Sequence, residues 1–316
     1  MKELSKDSVT FLEVGEEAAG QRIDNFLLRY LKGVPKSHVY RILRSGEVRV
    51  NQGRVSANRR LLVGDRVRVP PVRLAEKPDT GMVPAREFVP VFEDDDLLVI
   101  DKPAGIAVHG GSGVDFGVIE QLRKARPAAR FLELAHRLDR ETSGLLVICK
   151  RRSALVRLHD MFRDGGIDKR YLALVKGHWR DQLRNVRLPL FKFLTRDGER
   201  RVRVAPEGKE AHSIMRLQRR WKTPLGEFSL LEVELRTGRT HQIRVHLAHL
   251  GFPILGDEKY GDFNLNRDLQ KTGLKRMFLH AATLRLTHPA SGEALKLGAP
   301  LPAELKKFLD KLGNAE

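Results

Sequence analysis

The stretch His136-Arg137-Leu138-Asp139-Arg140-Glu141-Thr142-Ser143-Gly144, running directly into Leu145-Leu146-Val147-Ile148-Cys149, decides how this chain is read. Five apolar residues in a row show no alternation, so they predict a strand covered on both faces. The polar segment before them sits at the mouth of that strand, where side chains are held as rigidly as chemistry requires. One carboxylate, Asp139, stands there between Arg137 and Arg140. The residues alone leave two readings open: a reactive group, or a loop carboxylate pairing with its neighbours.

Other apolar runs flank this one. Leu97-Leu98-Val99-Ile100 and residues 171–175 and 228–235 read as further strands, whereas residues 118–126, 154–162 and 302–312 have helical spacing. Strands outnumber helices and do not alternate with them regularly. The expectation is an α+β domain with a mixed, largely antiparallel sheet over residues 88–316. Upstream, Pro70, Pro71, Pro78 and Pro84 with Gly81 break any regular element, which predicts a linker over residues 73–87.

Residues 20–72 form a second module. Ile23, Phe26 and Leu27 share one face of a first helix; Ser37 is the expected N-cap of a second, with Val39, Ile42 and Leu43 facing inward. Arg41 and Arg44 then occupy a solvent-facing stripe with room to meet phosphates. Gly46 ends the helix, Asn51-Gln52-Gly53 makes a turn, and residues 63–69 alternate as a strand does. Residues 1–19 are left as an N-terminal tail.

Charge gives the module a purpose. The chain of 316 residues has 58 Lys and Arg against 40 Asp and Glu, a formal charge of +18, which favours polyanions. Residues 21–70 hold twelve of those bases and three acids, so half the net charge lies in one short patch. No stretch approaches the ~20 apolar residues of a membrane span. The first ten residues lack the apolar core of a secretory signal. A single cysteine, Cys149, permits no internal disulfide, and a cytoplasmic location is expected.

Several chemistries are poorly served by this sequence. His109-Gly110-Gly111 has no Gly-x-Ser-x-Gly elbow to accompany it. Gly110, Gly111 and Gly113 are not followed by Gly-Lys-Ser/Thr, so no nucleotide-binding loop is present. His241, His246 and His249 fit no zinc spacing and read as ordinary hydrogen-bonding histidines; no metal is expected. Cys149, Met215 and Trp221 read as core, as does Tyr171 on its own.

The segment around Asp139 resembles the signature of the RluA-like family of pseudouridine synthases. Lys169-Arg170-Tyr171, Gly238-Arg239-Thr240-His241-Gln242-Ile243-Arg244-Val245-His246, Lys102-Pro103-Ala104-Gly105 with Val108-His109-Gly110-Gly111, residues 251–257, Leu279-His280-Ala281-Ala282 and Thr287-His288-Pro289 are similar to runs of that family in the same order. The N-terminal module resembles the S4-like RNA-binding module that recurs in RNA-modifying enzymes.

This resemblance implies that Asp139 is the catalytic aspartate. It implies that Tyr171 stacks on the uracil and helps move its proton, that Arg244 pairs with the aspartate, and that Arg137 fills the space left by the flipped base. It further implies a monomeric enzyme acting on large-subunit ribosomal RNA without a cofactor. The chemistry agrees: breaking the N1–ribose bond, turning the base and joining C5 to the same carbon neither oxidises anything nor consumes phosphate. A carboxylate can attack the sugar carbon, stabilise its positive charge, or remove a proton. A stacked uridine must leave its stack first, and an aromatic face can receive it. The rival reading is a non-catalytic RNA-binding ribosome-assembly factor, which accounts for the charge equally well.

Overall fold

The computed structural model describes residues 8–31, 34–72, 83–111, 114–196 and 198–313. Most of the expected linker (residues 73–82), the first seven residues, Lys32, Gly33 and Gly113 lie outside these. The chain divides into two units, residues 1–82 and 83–316.

The first unit consists of β1 (Thr10–Glu13), α1 (Ile23–Tyr30), α2 (Lys36–Arg44), β2 (Arg49–Val50), β3 (Gly53–Arg54) and β4 (Arg66–Val69). Its sheet has the order β1-β4-β2-β3, antiparallel throughout. Ile23, Phe26 and Leu27 of α1 and Val39, Ile42 and Leu43 of α2 pack on Val50, Val67 and Val69. Removing these aliphatic faces from water drives the module together.

Three details differ from the sequence reading. Pro35, not Ser37, precedes α2, its carbonyl accepting from the amides of His38 (3.0 Å) and Val39 (3.2 Å); the fixed proline φ replaces a side-chain cap. Residues 10–13, within the expected tail, form an edge strand that buries Leu12. The last strand begins only at Arg66, because Gly64 takes a positive φ and Val63 is exposed. Asn51 and Gln52 adopt φ of 48° and 68° between β2 and β3, the left-handed pair that a tight hairpin turn requires.

The second unit runs β5 (Pro90–Glu93), β6 (Leu97–Lys102), α3 (Val118–Ala125), β7 (Glu133–Leu134), β8 (Ser143–Cys149), α4 (Arg152–Asp164), β9 (Asp168–Lys176), β10 (Leu183–Arg187), β11 (Leu190–Leu194) and β12 (Arg200–Val204). It continues with β13 (His212–Thr223), β14 (Gly226–Leu235), α5 (Gln242–His249), α6 (Phe263–Thr272), β15 (Leu279–Thr287), β16 (Ala294–Gly298) and α7 (Ala303–Lys311). A large sheet has the order β10-β13-β14-β9-β15-β8-β6-β5, with β7 added on β8 and β16 on β15. Among the described residues only β15 and β8 pair in parallel, so the sheet is mixed and largely antiparallel. The Asp262 carboxylate caps the first turn of α6, accepting from the amides of Asn264 and Leu265.

The unbroken apolar runs have a direct cause. Leu98, Ile100, Leu146 and Ile148 pack on one face with Val118 and Leu122 of α3. Leu97, Val99, Leu145, Val147 and Cys149 pack on the other with Ala154 and Leu158 of α4. Both faces of residues 97–100 of β6 and 145–149 of β8 are therefore dry, and each of those positions is apolar.

The parallel contact is two residues long, His280 with Ser143 and Ala281 with Gly144. Here the backbones crowd: a Cβ on Gly144, at φ 108°, would lie 2.3 Å from the Ala281 carbonyl oxygen. Only glycine fits. Ala281 also faces Tyr171 of β9, so this junction brings Tyr171 beside the segment that leads into β8.

Candidate active site

The chain leaves β7, loops out through residues 136–142 and returns as β8. The loop's backbone groups are held from outside. Lys102 is fully buried and donates to the carbonyls of Pro103 (2.8 Å), Ile106 (2.9 Å) and Arg140 (3.1 Å). The Gly105 amide shares the Arg140 carbonyl, and Arg276 donates to that of Glu141 (3.3 Å). Burial pushes the Lys102 ammonium down to about 7, yet three carbonyls satisfy its donors. Asp139 is thereby fixed at the rim of a cavity of about 420 Å³, within the roughly 300–1,000 Å³ of small-ligand clefts.

Arg137, Leu138, Asp139, Lys169, Tyr171 and Arg244 all line this cavity. Four of the residues singled out in the sequence thus converge from segments far apart in the chain. Arg41 and Arg44 belong to the first unit, where both are exposed on α2, Arg41 within 3.5 Å of Glu47.

Arg244 organises the site from the first turn of α5. Its Nη1 donates to Asp139 Oδ2 (3.0 Å), while Nε and Nη2 grip Asp257 in a bidentate pair (2.8 Å each). Asp257 also accepts from the amides of Lys259 (2.8 Å) and Tyr260 (3.0 Å). Its pKa is lowered: the Arg244 bonds, the Arg244 charge and these amides outweigh a larger opposing burial effect. That saturation holds the guanidinium still, with one edge free for Asp139.

Tyr171 is buried among apolar side chains, and burial raises its pKa, reinforced by the charge of Asp139, so it remains a neutral phenol. Arg137 is exposed at the rim. Lys169, two residues before Tyr171 on the same strand face, places Nζ over the Phe162 ring at 5.3 Å, with its pKa lowered by burial.

The histidines serve separate purposes. His246 lies between the Ser213 hydroxyl and the Leu188 carbonyl (3.0 Å each), and His249 is exposed. Among the described residues no three His, Cys, Asp or Glu side chains converge as metal ligands do. The His109-Gly110-Gly111 segment closes on α3, the Gly110 amide donating to Glu120 (3.1 Å). Cys149 is buried, and burial pushes its thiol up to about 12.

Asp257, Lys169, His241 and Tyr260 were not assigned to the site from sequence. Lys169 carries a signal, being two residues from Tyr171 in a strand. His241 was read only as a structural histidine, and Tyr260 has no local signature.

A ligand-sized cleft beside a mixed sheet, lined by a carboxylate, a neutral tyrosine and an arginine, has the acid–base groups of an enzyme active site. The RNA pseudouridylate synthase family matches residues 96–249, and the S4 domain matches residues 21–67. The chain is 50% identical to the ribosomal large subunit pseudouridine synthase C of Escherichia coli, the alignment covering 98% of each. It is 48% identical to the protein of that name from Haemophilus influenzae, over 100% of this chain and 98% of the other. Among solved structures, human RNA pseudouridylate synthase domain containing 4 superposes with a TM-score of 0.57 at 28% identity, over 71% of this chain and 92% of that one. This chain belongs to the RluA-like family of RNA pseudouridine synthases, with an S4 RNA-binding domain at its N-terminal end. No helix among the described residues is long and apolar enough to cross a membrane.

Proposed function

We propose that the chain isomerises specific uridines of large-subunit ribosomal RNA to pseudouridine in the cytoplasm, with Asp139 as the reacting carboxylate. The observation that carries this is the setting of Asp139: Arg244 binds Oδ2, and Asp139 lines the same cavity as Tyr171. A uridine flipped into the cavity stacks on Tyr171, while Arg137 at the rim enters the space it leaves. Asp139 then either attacks C1′ or takes the C2′ proton, and both routes need the same oriented carboxylate. Arg244 keeps that carboxylate aimed. The N1–C1′ bond breaks, the base turns so that C5 joins C1′, the carboxylate is released or returns the C2′ proton, and the C5 proton is lost while N1 gains one.

The neutral Tyr171 provides a flat face and a hydroxyl near the base. Residues 20–72 carry the RNA to residues 88–316 across the linker of residues 73–87, with Arg41 and Arg44 on phosphates. The charge of that module supports this division.

The test is Asp139→Asn. Pseudouridine formation on large-subunit ribosomal RNA should fall by roughly 10⁴-fold or more, with RNA affinity retained. A variant that still modifies RNA removes Asp139 from the chemistry, and a wild type that modifies none returns the rival reading of an assembly factor.

A further inference from the structure

We infer that Tyr260 and His241 are a positioning pair for the second oxygen of Asp139, and that the β11–β12 hairpin anchors this pair. The inference rests on Asp139 being the reacting carboxylate and adds how its free oxygen is kept in place.

Arg244 occupies Oδ2, whereas Oδ1 faces His241 Nε2 at 3.8 Å, just beyond hydrogen-bond reach. Closing that gap by under an ångström makes the bond. The backbone and a neighbouring ring hold His241 in place. It takes the left-handed conformation (φ 53°, ψ 23°) at the start of α5, which is unusual for a residue with a side chain. Its Nδ1 lies 2.8 Å from the Tyr260 hydroxyl, and the two rings meet edge-on at 5.5 Å.

The proton arrangement follows from the surroundings. The Val202 amide donates to the Tyr260 oxygen (3.0 Å), leaving the phenol proton available for His241 Nδ1. The negative carboxylate opposite Nε2 favours a proton there rather than a lone pair. Burial, with Arg244 and Lys259 nearby, brings the imidazole down to about 4 despite Asp139 and Asp257, so it stays a neutral Nε2–H donor. The Tyr260 ring is fixed beneath the Arg244 guanidinium, 5.1 Å from its centroid.

Val202 belongs to β12, and the hairpin is latched to the same loop. Lys259 donates to the Arg200 carbonyl (2.8 Å) and pairs with Glu199 (2.7 Å). One short segment, Asp257 to Tyr260, therefore sets Arg244 on one side of Asp139 and His241 on the other. The hairpin's outer surface is exposed and basic, with Lys192, Arg200 and Arg203, the last over the rings of Phe191 and Phe193. Such a surface meets a polyanion, so the hairpin's seat and the carboxylate's orientation are mechanically joined.

Tyr260→Phe removes the hydroxyl and keeps the ring under Arg244. We expect a loss of about tenfold in the single-turnover rate constant, with RNA affinity unchanged and the melting temperature near wild type. His241→Asn, which tolerates the left-handed backbone and keeps a donor, should retain more activity than His241→Ala. Nitrogen-15 NMR of the histidine side chain should find the Nε2–H tautomer in wild type and a loss of that bias in Tyr260→Phe. A Tyr260→Phe rate within twofold of wild type, or a rate loss matched by an equal loss of RNA affinity, overturns the inference. The NMR result is independent of turnover: an inactive wild type with the expected tautomer would refute the reading of Asp139 and not the pair, and an Nδ1–H tautomer would refute the pair alone.

Discussion

The two faces of the central sheet use the same chemistry to opposite ends. Successive residues of β9 divide between them: Lys169 and Tyr171 line the cavity, whereas Asp168 and Arg170 line a groove on the other face. In that groove Arg170, Arg216 and Arg236 interlock with Asp168, Glu232 and Glu234 at 2.7–3.9 Å, and Glu234 alone is reached by all three arginines. On the cavity face one buried arginine serves two carboxylates. Asp257 is saturated, but Asp139 receives a single hydrogen bond among the described residues. Paired charges that are mostly part-exposed, as Asp168, Arg170 and Glu232 are, make a surface lattice of small net worth. A part-buried carboxylate left with a single partner beside a cavity is a candidate reagent.

The largest expected effect breaks the cavity-face cluster. Asp257→Ala strands two donors of Arg244 in a buried site and should cost about 3–5 kcal/mol of stability. It should also lower pseudouridine formation more than ~100-fold through loss of orientation. Urea denaturation and an RNA modification assay measure both. A loss below ~1 kcal/mol would make this cluster no different from the lattice opposite.

Next comes the junction that brings the cavity together. Gly144→Ala drives a Cβ into the Ala281 carbonyl at a positive φ and should cost roughly 2–4 kcal/mol. Thermal melting checks it, and an unchanged melting temperature would mean that β8 and β15 can move apart.

Acid should then weaken the cavity face, where His136 and His241 both lie. Burial holds His136 down to about 3 and His241 to about 4, whereas both take a proton near 6.5 once unfolded. The unfolded chain therefore binds more protons below pH 6.5, so stability falls on acidification from 6.5 towards about 4 and 3. Together the two histidines should remove roughly 1–3 kcal/mol between pH 6.5 and 5. His136→Gln with His241→Asn should flatten that slope relative to wild type in urea titrations. An equally steep slope would assign the acid loss to carboxylates instead.

The smallest effect belongs to the groove. Glu232→Gln should change stability by less than about 1 kcal/mol and leave the rate of pseudouridine formation unaltered. A large effect on rate would show that the two faces are coupled through β9.

Much of this was legible in the chain because it is local. The uninterrupted run of residues 145–149 announced a doubly covered strand, and the alternation of charge and apolar residues in 21–70 announced a basic two-helix module. Asp139, Tyr171 and Arg244 were found by their motifs, which are contiguous. The misread details, Ser37, the late start of β4 and the strand within residues 1–19, turn on capping and burial, which depend on neighbours outside the local window.

The sequence by itself determined the class of fold, the polyanion-seeking charge and which carboxylate is proposed to react, since strand burial, net charge and a signature motif are properties of short segments. Only the tertiary structure decided what surrounds that carboxylate. Asp257 stands 118 positions along the chain from Asp139, and Tyr260 reaches His241 across α5. Hydrogen bonds depend on distances in space to within a few tenths of an ångström. No spacing along the chain fixes such a distance until the sheet has closed around Gly144 and Ala281.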